Sequence, residues 1–132
     1  MMPGAIVVDT TVLIDASRRR GNAEAWLTER LAAGRVLLVS AVTVAEFLSG
    51  IDPEHEADAR ALLEPFDVVP ATFDIAILAG QIRYRLARRG RVLALADAVI
   101  AATALATTAI LVTSNLRDFA IDGLDVRLPG DA

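Results

Sequence analysis

The chain contains no cysteine and no lysine. Without cysteine it forms neither disulfides nor thiolate metal sites, and it has no thiol nucleophile. Without lysine it lacks the ammonium group of a Walker A loop, of a Schiff base or of a receiver-type phosphorylation site. The single histidine, His55, has no second histidine and no cysteine with which to form a zinc site. Carboxylates, hydroxyls, amides and arginines are therefore left to carry any chemistry.

An excess of positive charge is also missing. Lys and Arg together number 13 against 17 Asp and Glu, which gives a formal net charge of -4. No overall positive field points to nucleic acid, so binding of nucleic acid would depend on local patches. The hydrophobic content of 55% argues against disorder, and 132 residues suit one domain, predicted to span residues 1–132.

Neither a secretory signal nor a membrane span is expected. The first apolar run carries Asp9 and Asp15 and has no basic segment before it, which predicts a cytoplasmic protein. Residues 92–112 approach the length of a spanning helix, but Asp97 interrupts them and residues 110–112 are typical of a strand. A helix followed by a strand is the preferred interpretation.

Apolar runs alternate with helical patterns along the whole chain. Strands are predicted at residues 5–8, 35–39, 67–69, 109–113 and 125–128. Helices are predicted from about residue 12, then at 23–33, 40–50, 53–64, 73–89 and 95–107, with Thr72 as an N-cap and Gly90 as a C-terminal stop. This alternation predicts an α/β fold with a mostly parallel, doubly wound sheet.

Asp9 follows the first predicted strand directly. In open α/β sheets, ligands bind at the carboxyl ends of the strands, and a carboxylate buried there needs a partner. The alternative is that Asp9 only caps the next helix, because Asp is a favoured N-cap. Thr10 and Thr11 are also candidate caps for a helix beginning near Val12.

Glu46 has two competing explanations. Thr43 and Glu46 have the spacing of a capping box, in which the glutamate reaches back to a backbone amide. The residues around Glu46 are apolar on nearly all sides, however, and a buried glutamate needs a partner. A functional role is the favoured interpretation.

Four further polar positions lie at the ends of later strands or in the turns after them. Asp97 falls in the first turn of a predicted helix, where the helix dipole alone would favour an anion. Asn115 and Asp118 follow the fourth predicted strand, and Asp118 is equally explained by an Asx turn. Thr113 ends that strand and, with Thr10 and Thr11, is either a simple cap or a hydroxyl that orients a carboxylate.

Right-handed crossovers bring the carboxyl ends of parallel strands to one edge of the sheet. Asp9, Glu46 and Asp97, with Asn115 or Asp118, are therefore expected to converge. Clustered carboxylates repel each other unless a cation neutralises them, and oxygen ligands without cysteine select Mg²⁺ or Mn²⁺. Such a site suits phosphodiester cleavage.

An arginine cluster ends the long helix predicted before Asp97. Basic residues in a last turn are favoured by the helix dipole, but their concentration here also indicates a local phosphate-facing patch. The candidate phosphate contacts are Arg85, Arg88, Arg89 and Arg91.

Four segments together resemble the PIN-domain nucleases, and among them the VapC-type toxins of type II toxin–antitoxin pairs. The segments are VVDTTVLID at residues 7–15, TVAEF at 43–47 with Gly50, DAVIAA at 97–102 after Arg89 and Gly90, and LVTSN at 111–115 with Asp118. Each is weak alone, whereas their order and spacing cover nearly the whole chain.

The resemblance implies a three-layer α/β/α sandwich and an endoribonuclease that cuts single-stranded regions of RNA, commonly tRNA or rRNA. It implies that Asp9, Glu46 and Asp97 hold Mg²⁺ or Mn²⁺, with Glu46 as a ligand or as the base that orients water. A homodimer and a cognate antitoxin whose tail covers the site are implied as well. Many members carry Asp where this chain has Asn115, so either Asn115 or Asp118 fills the fourth position.

Other functions remain open at this level. An aspartyl phosphatase begins with a similar strand but needs a second Asp two residues after the first, where this chain has Thr11. A PIN-like scaffold that binds RNA or a protein without cleaving is compatible with the missing fourth Asp. A purely structural subunit explains the three acids poorly, since stability alone does not favour them at strand ends.

Overall fold

The computed structural model describes residues 4–132 and contains a five-stranded sheet. The strands are β1 (Ile6–Val8), β2 (Leu37–Ser40), β3 (Asp67–Val69), β4 (Ile110–Val112) and β5 (Val126–Arg127). Neighbouring strands all pair in parallel, in the order β3-β2-β1-β4-β5. The predicted mostly parallel sheet is thus confirmed, although most strands are a residue or two shorter than their apolar runs because pairing ends before the runs do.

Six α-helices connect and cover the strands in residues 4–132. They are α1 (Thr10–Ser17), α2 (Ala23–Ala32), α3 (Ala41–Ser49), α4 (Glu56–Leu63), α5 (Phe73–Arg88) and α6 (Leu95–Ala106). The single helix predicted over residues 53–64 was wrong. Pro53–His55 forms a 3₁₀ turn, and His55, with φ -107° and ψ 4°, interrupts the helical path before α4 begins.

The ends of α5 follow the sequence signals. Thr72 is the N-cap, and its Oγ1 accepts a hydrogen bond of 3.3 Å from the backbone N–H of Ile75. Gly90 adopts φ +77° just after the helix, a conformation that glycine reaches without steric cost. The chain therefore reverses sharply here and leads back towards the sheet.

Alternating side chains give the sheet two apolar faces. Ile6, Val8 and Val39 lie in one core with residues of α1 to α4, whereas Val7 and Leu111 lie in a second core with residues of α5 and α6. The three-layer α/β/α sandwich is confirmed. Each fully buried aliphatic side chain contributes about 1.5–3 kcal/mol through removal from water.

The apolar helix α6 is an interior layer of the protein. Its alanines Ala98, Ala101, Ala102 and Ala104 are fully buried, because small side chains let the helix approach its neighbours closely. Residues 110–112 continue into β4, as the sequence predicts. Within residues 4–132, no helix combines the length and the apolarity that crossing a membrane requires.

The strand order creates a crevice beside β1. The chain proceeds outward from β1 to β2 and β3, and then returns to place β4 on the other side of β1. Connections therefore diverge between β1 and β4, and ligands bind at the carboxyl ends of strands at such a switch point. Asp9 follows β1 and Thr113 follows β4 at this position.

Candidate functional site

Asp9 lies at the floor of the crevice and is only 2% exposed. Its Oδ2 accepts hydrogen bonds from Thr11 Oγ1 at 2.7 Å and from Thr113 Oγ1 at 2.8 Å. Its backbone N–H donates to the carbonyl of Val112 at 2.9 Å. Two hydroxyls thus hold one carboxylate oxygen, and Oδ1 accepts no hydrogen bond from residues 4–132.

The capping explanations for this segment were wrong. Asp9 occupies the N-cap position of α1, but its side chain makes no capping hydrogen bond. The helix begins at Thr10, two residues before the predicted start, so Thr10 and Thr11 belong to its first turn. Thr10 Oγ1 donates to Glu46 and Thr11 Oγ1 donates to Asp9, and neither hydroxyl caps a backbone amide of α1.

Thr11 and Thr113 also bind the loop that follows β4. The backbone N–H of Ser114 donates to Thr11 Oγ1 at 3.1 Å, and that of Asn115 donates to Thr113 Oγ1 at 3.0 Å. Each hydroxyl accepts from the loop and donates to Asp9, which fixes the direction of its proton. The orientation of Asp9 is therefore coupled to the position of this loop.

Glu46 lies on α3, half-buried, and its Oε1 accepts a hydrogen bond of 2.8 Å from Thr10 Oγ1. Thr43 Oγ1, which is fully buried, stands 3.2 Å from Thr10 Oγ1. A hydroxyl has one proton, and the carboxylate takes that of Thr10, so Thr10 is left to accept from Thr43. Thr10 of α1 and Thr43 of α3 thus orient one oxygen of Glu46.

The predicted capping box of Thr43 and Glu46 was also wrong. The N-cap of α3 is Ser40, whose Oγ accepts from the backbone N–H of Val42 at 3.2 Å. Thr43 is the third residue of the helix and not its N-cap, and Glu46 Oε1 accepts from Thr10 Oγ1 instead of from a backbone amide.

Asp97 lies half-exposed in the first turn of α6. Partial burial, and then the negative charges of Asp9, Glu46 and Asp118, raise the pKa of Asp97 from 3.8 to about 6. A helix N-terminus acting alone would lower this pKa. The repulsion shows that the structure brings all four acids into one electrostatic field, as the sequence predicts for this edge of the sheet.

Asn115 and Asp118 lie side by side at the rim. Asn115 Nδ2 donates to Asp118 Oδ2 at 2.6 Å, and both side chains are exposed. Asn115 precedes the 3₁₀ turn Leu116–Phe119, and its side chain does not cap that turn. Asp118 is thus bound to a side chain as well as facing Asp97, and an Asx turn does not account for its position.

The donor set fits a hard divalent cation. The side chains of the cluster offer carboxylate, amide and hydroxyl oxygens, and mutual repulsion is relieved only by positive charge. Within residues 4–132, no three acids or histidines already form a group that encloses a metal ion. An open arrangement suits Mg²⁺, which keeps several water ligands and takes one or two carboxylates.

The predicted arginine cluster divides between several surfaces. Arg89 pairs with Asp122 at 3.3 Å, and Arg88 stacks over the Tyr84 ring at 4.5 Å. Arg85 lines a small pocket with Arg89 and Asp122, and this pocket contains none of the acids near Asp97. Of the four arginines predicted to contact phosphate, only Arg91 lines a cleft that also contains Asp97.

Two residues near the acids are absent from the predicted set. Thr43 was interpreted as a cap, although its spacing from Glu46 also suits a contact along one helix face. Arg117 was not singled out, and its position between Asn115 and Asp118 was the available signal. It lines the same cleft as Asp97.

A larger groove adjoins the other side of the acids. Its volume is about 730 Å³, and residues of α1, α3 and α4 line it. Ile14, Phe47, Ile51 and Leu62 give it an apolar floor, and Glu46 lies at its edge.

Comparison with known proteins identifies the family of the chain. The sequence model of the PIN domain matches residues 6–122. Ribonuclease VapC10 of Mycobacterium tuberculosis is 36% identical over 114 residues, which cover 86% of this chain and 85% of the relative.

Solved structures show the same fold. A toxin–antitoxin complex from Klebsiella pneumoniae contains a chain with a TM-score of 0.77 and 30% identity, covering 95% of this chain and 98% of that one. A chain in VapBC2 from Rickettsia felis, bound to a promoter DNA fragment, has a TM-score of 0.82 and 20% identity, covering 94% and 98%. The chain belongs to the PIN domain family and, within it, to the VapC proteins.

Proposed function

We propose that the protein is a divalent-metal-dependent endoribonuclease and the toxin of a toxin–antitoxin pair. Single-stranded regions of cellular RNA, with tRNA or rRNA as the expected targets, are its substrates. The observation that carries the proposal is the proximity of four acids at the switch point of the sheet, where the charges of Asp9, Glu46 and Asp118 help to raise the pKa of Asp97. The ribonuclease names of its relatives support the same activity.

Asp9 and Asp97 are the principal ligands for Mg²⁺ or Mn²⁺ in this proposal, with Glu46, Asn115 and Asp118 as further oxygen donors. Bound there, a divalent ion supplies Lewis acidity towards a phosphodiester. Asp9 presents Oδ1, because Thr11 and Thr113 occupy its Oδ2. Preorganised donors lower the cost of arranging the reacting groups.

Glu46 acts on the attacking water. Thr10 holds its Oε1, which leaves Oε2 to orient the water and accept a proton as the water oxygen attacks phosphorus. The bond from phosphorus to the leaving ribose oxygen breaks as the new bond forms, and that oxygen takes a proton from solvent to become a hydroxyl.

Cleavage of total cellular RNA by the purified, partner-free protein tests the proposal. Reactions contain Mg²⁺, Mn²⁺ or a chelator, and Asp9→Asn and Asp97→Asn are compared with Glu54→Gln, which removes an exposed acid outside the cluster. We expect metal-dependent fragments from the wild type and from Glu54→Gln, and none from the other two variants.

Intact RNA with a folded, Mn²⁺-binding protein would reject the nuclease. That result would favour the alternative of a PIN-like scaffold that binds RNA or a protein without cleavage. The observation behind the alternative is Asn115, which supplies no charge at the fourth position.

A cognate antitoxin is the proposed protein partner. Related structures are toxin–antitoxin complexes, and the groove floored by Ile14, Phe47, Ile51 and Leu62 suits an apolar segment that ends at Glu46. We expect Ile51→Arg to abolish co-purification with the co-expressed cognate antitoxin and to keep RNA cleavage. Val36→Arg, on an exposed residue outside the groove, is the matched control.

A homodimer and a cytoplasmic location complete the proposal. Phe73, Ile77 and Tyr84 are exposed at helical spacing along α5, and Phe73 is 79% exposed. A second copy covering this stripe would remove it from water. Light scattering should give a dimer mass for the wild type and a monomer mass for Phe73→Glu. An unchanged mass for Phe73→Glu would exclude this face of α5 as the dimer interface.

A cytoplasmic location follows from the proposed substrate, because cellular RNA lies in the cytoplasm.

A further inference from the structure

A second recess adjoins the acids on the side away from the groove. Its volume is about 310 Å³, at the lower end of the range of roughly 300–1,000 Å³ found for small-ligand sites. Two acids line it, Asp97 and Asp118. Its other walls are formed by two arginines, Arg91 and Arg117, and by two apolar residues, Val92 and Leu93. We call this recess the arginine cleft. Asp97 belongs both to the arginine cleft and to the cluster of Asp9, Glu46, Asp97 and Asp118, so the cleft adjoins that cluster directly.

Arg91 is fixed at one wall of the cleft. The turn at Gly90 returns the chain towards α5, and the backbone N–H of Arg91 donates to the carbonyl of Leu86 at 2.9 Å. Its Nη1 donates to the carbonyl of Ala120 at 2.6 Å. A guanidinium has five N–H donors, so this contact orients the group and leaves other donors available.

The apolar wall is held from behind. Arg83 Nε donates to the carbonyl of Leu93 at 3.0 Å, and the Leu93 side chain is buried. Val92, between Arg91 and Leu93, is 93% exposed. An apolar side chain held open beside two arginines is a surface against which a flat base would pack.

Arg117 differs from the other arginines that lie near acids. It is exposed on the 3₁₀ turn Leu116–Phe119, and it forms neither a hydrogen bond nor an ion pair with residues 4–132. By contrast, Arg127 pairs with Asp125 at 2.9 Å. Phe119, at 1% exposure, anchors the turn, so the position of Arg117 is defined while its guanidinium keeps all its donors.

The charges of the cleft favour a phosphate over other ligands. Arg91 and Arg117 balance Asp97 and Asp118 in the protein alone, and a divalent ion on the acids would leave the cleft positive. Guanidinium groups match phosphate oxygens through paired N–H donors. A ligand combining a phosphate with a flat apolar ring meets both walls.

We propose that the arginine cleft binds the nucleotide next to the scissile phosphate of a single-stranded RNA. Arg117 and Arg91 contact its phosphate, and its base packs on Val92. This inference rests on the proposed function and adds a substrate-binding subsite to it. The cleft is open at the surface, and an unpaired nucleotide exposes the base face that would pack on Val92.

Binding of a fluorescein-labelled 12-nucleotide RNA of mixed sequence tests the subsite. Anisotropy is measured in Mg²⁺, which leaves the cleft positive, at several salt concentrations and over times in which a gel shows the labelled RNA intact. We expect Arg117→Gln to weaken binding about 10-fold and to reduce the slope of log K against log salt by about 0.7, the value for one lost contact to a single strand. Arg91→Gln should act in the same direction, with its fold checked by thermal unfolding because Arg91 also holds Ala120.

Arg85→Gln is the matched control, since Arg85 is on α5 but outside the cleft. Equal losses of RNA affinity in Arg85→Gln and Arg117→Gln would mean that positive charge acts diffusely, without a subsite. Unchanged RNA affinity in Arg117→Gln would also overturn the proposed subsite. Parallel cleavage assays separate the two proposals. An active enzyme whose KM is unaffected by Arg117→Gln refutes only the cleft, whereas RNA binding that depends on Arg117 in a protein that never cleaves refutes only the nuclease.

Discussion

Thr113 Oγ1 donates a 2.8 Å hydrogen bond to Asp9 Oδ2, although 104 positions separate the two residues in the chain. The contact exists because β1 and β4 are neighbours in the sheet, with Val8 paired to Val112 immediately before these two residues. Thr11 donates to the same oxygen. The crevice therefore fixes the direction of Asp9 before any ligand arrives.

Replacing Thr113 by valine keeps the shape of the side chain and removes this donor. We expect Thr113→Val to lower RNA cleavage and Mn²⁺ affinity by about 10- to 100-fold, the usual range for residues that orient metal ligands. Thr113→Ser keeps the hydroxyl and should recover most of both. Calorimetric titration with Mn²⁺ measures the affinity without RNA, and a Thr113→Val variant that binds Mn²⁺ as the wild type does would contradict the role.

Thr10 and Thr43 should affect Glu46 in a graded order. Thr10→Val removes the hydrogen bond to Glu46 Oε1 directly, whereas Thr43→Val removes only a partner of Thr10. We expect kcat to fall about 10- to 100-fold in Thr10→Val and less in Thr43→Val, with KM for RNA nearly constant. Thr10→Ser serves as the conservative control. A larger loss in Thr43→Val than in Thr10→Val, with both proteins folded, would contradict the order.

The layers of the fold were predictable because periodicity is a local signal. Ile6, Val7 and Val8 are all apolar and point to alternate faces of β1, so both faces of the sheet must be covered. The ends of α5 are predictable from Thr72, its N-cap, and from Gly90, which follows it. The single helix predicted across His55 failed because backbone dihedrals at one residue decide between a 3₁₀ turn and an α-helix.

The site was predictable at the level of which acids converge, and less so in what their neighbours do. Asp9 and Asp97 follow from strand and helix positions. The hydrogen bonds of Thr10 with Glu46 and with Thr43 do not follow, because a hydroxyl near a helix start has the same local sequence whether it caps an amide or orients a distant carboxylate. Only the tertiary approach of α3 to α1 distinguishes the two.

Asp97→Asn should stabilise the metal-free protein at neutral pH. The fold raises the pKa of Asp97 from 3.8 to about 6, so between these values the folded state binds more protons than the unfolded state. The contribution of Asp97 to the stability of the wild type therefore becomes more favourable as pH falls from above 6 to below 4. Because Asp97 is half-exposed, solvent screens the repulsion, and we expect an effect of about 1 kcal/mol, or a few degrees in Tm.

Thermal unfolding in chelator at pH 7.5 and pH 4.5 measures this effect. Asp97→Asn should exceed the wild type in Tm at pH 7.5, and most of the difference should disappear at pH 4.5. Glu54→Gln shows how the loss of an exposed charge outside the cluster affects Tm. A lower Tm for Asp97→Asn at pH 7.5 would mean that the aspartate stabilises the fold and is not strained by its neighbours.

Asn115→Asp tests the fourth position of the site. The substitution replaces the donor that contacts Asp118 Oδ2 at 2.6 Å by a carboxylate, and it adds a negative charge to the field around Asp97. We expect a lower Tm in chelator, because the two acids at the rim would repel each other. Mn²⁺ should bind about 3- to 10-fold more tightly, since an additional anionic oxygen attracts the ion. Asn115→Ala loses the same hydrogen bond without adding charge, so it should lower Tm slightly and leave Mn²⁺ binding unimproved. If Asn115→Asp changes neither Tm nor affinity, Asn115 lies outside the metal's reach and Asp118 alone is the fourth donor.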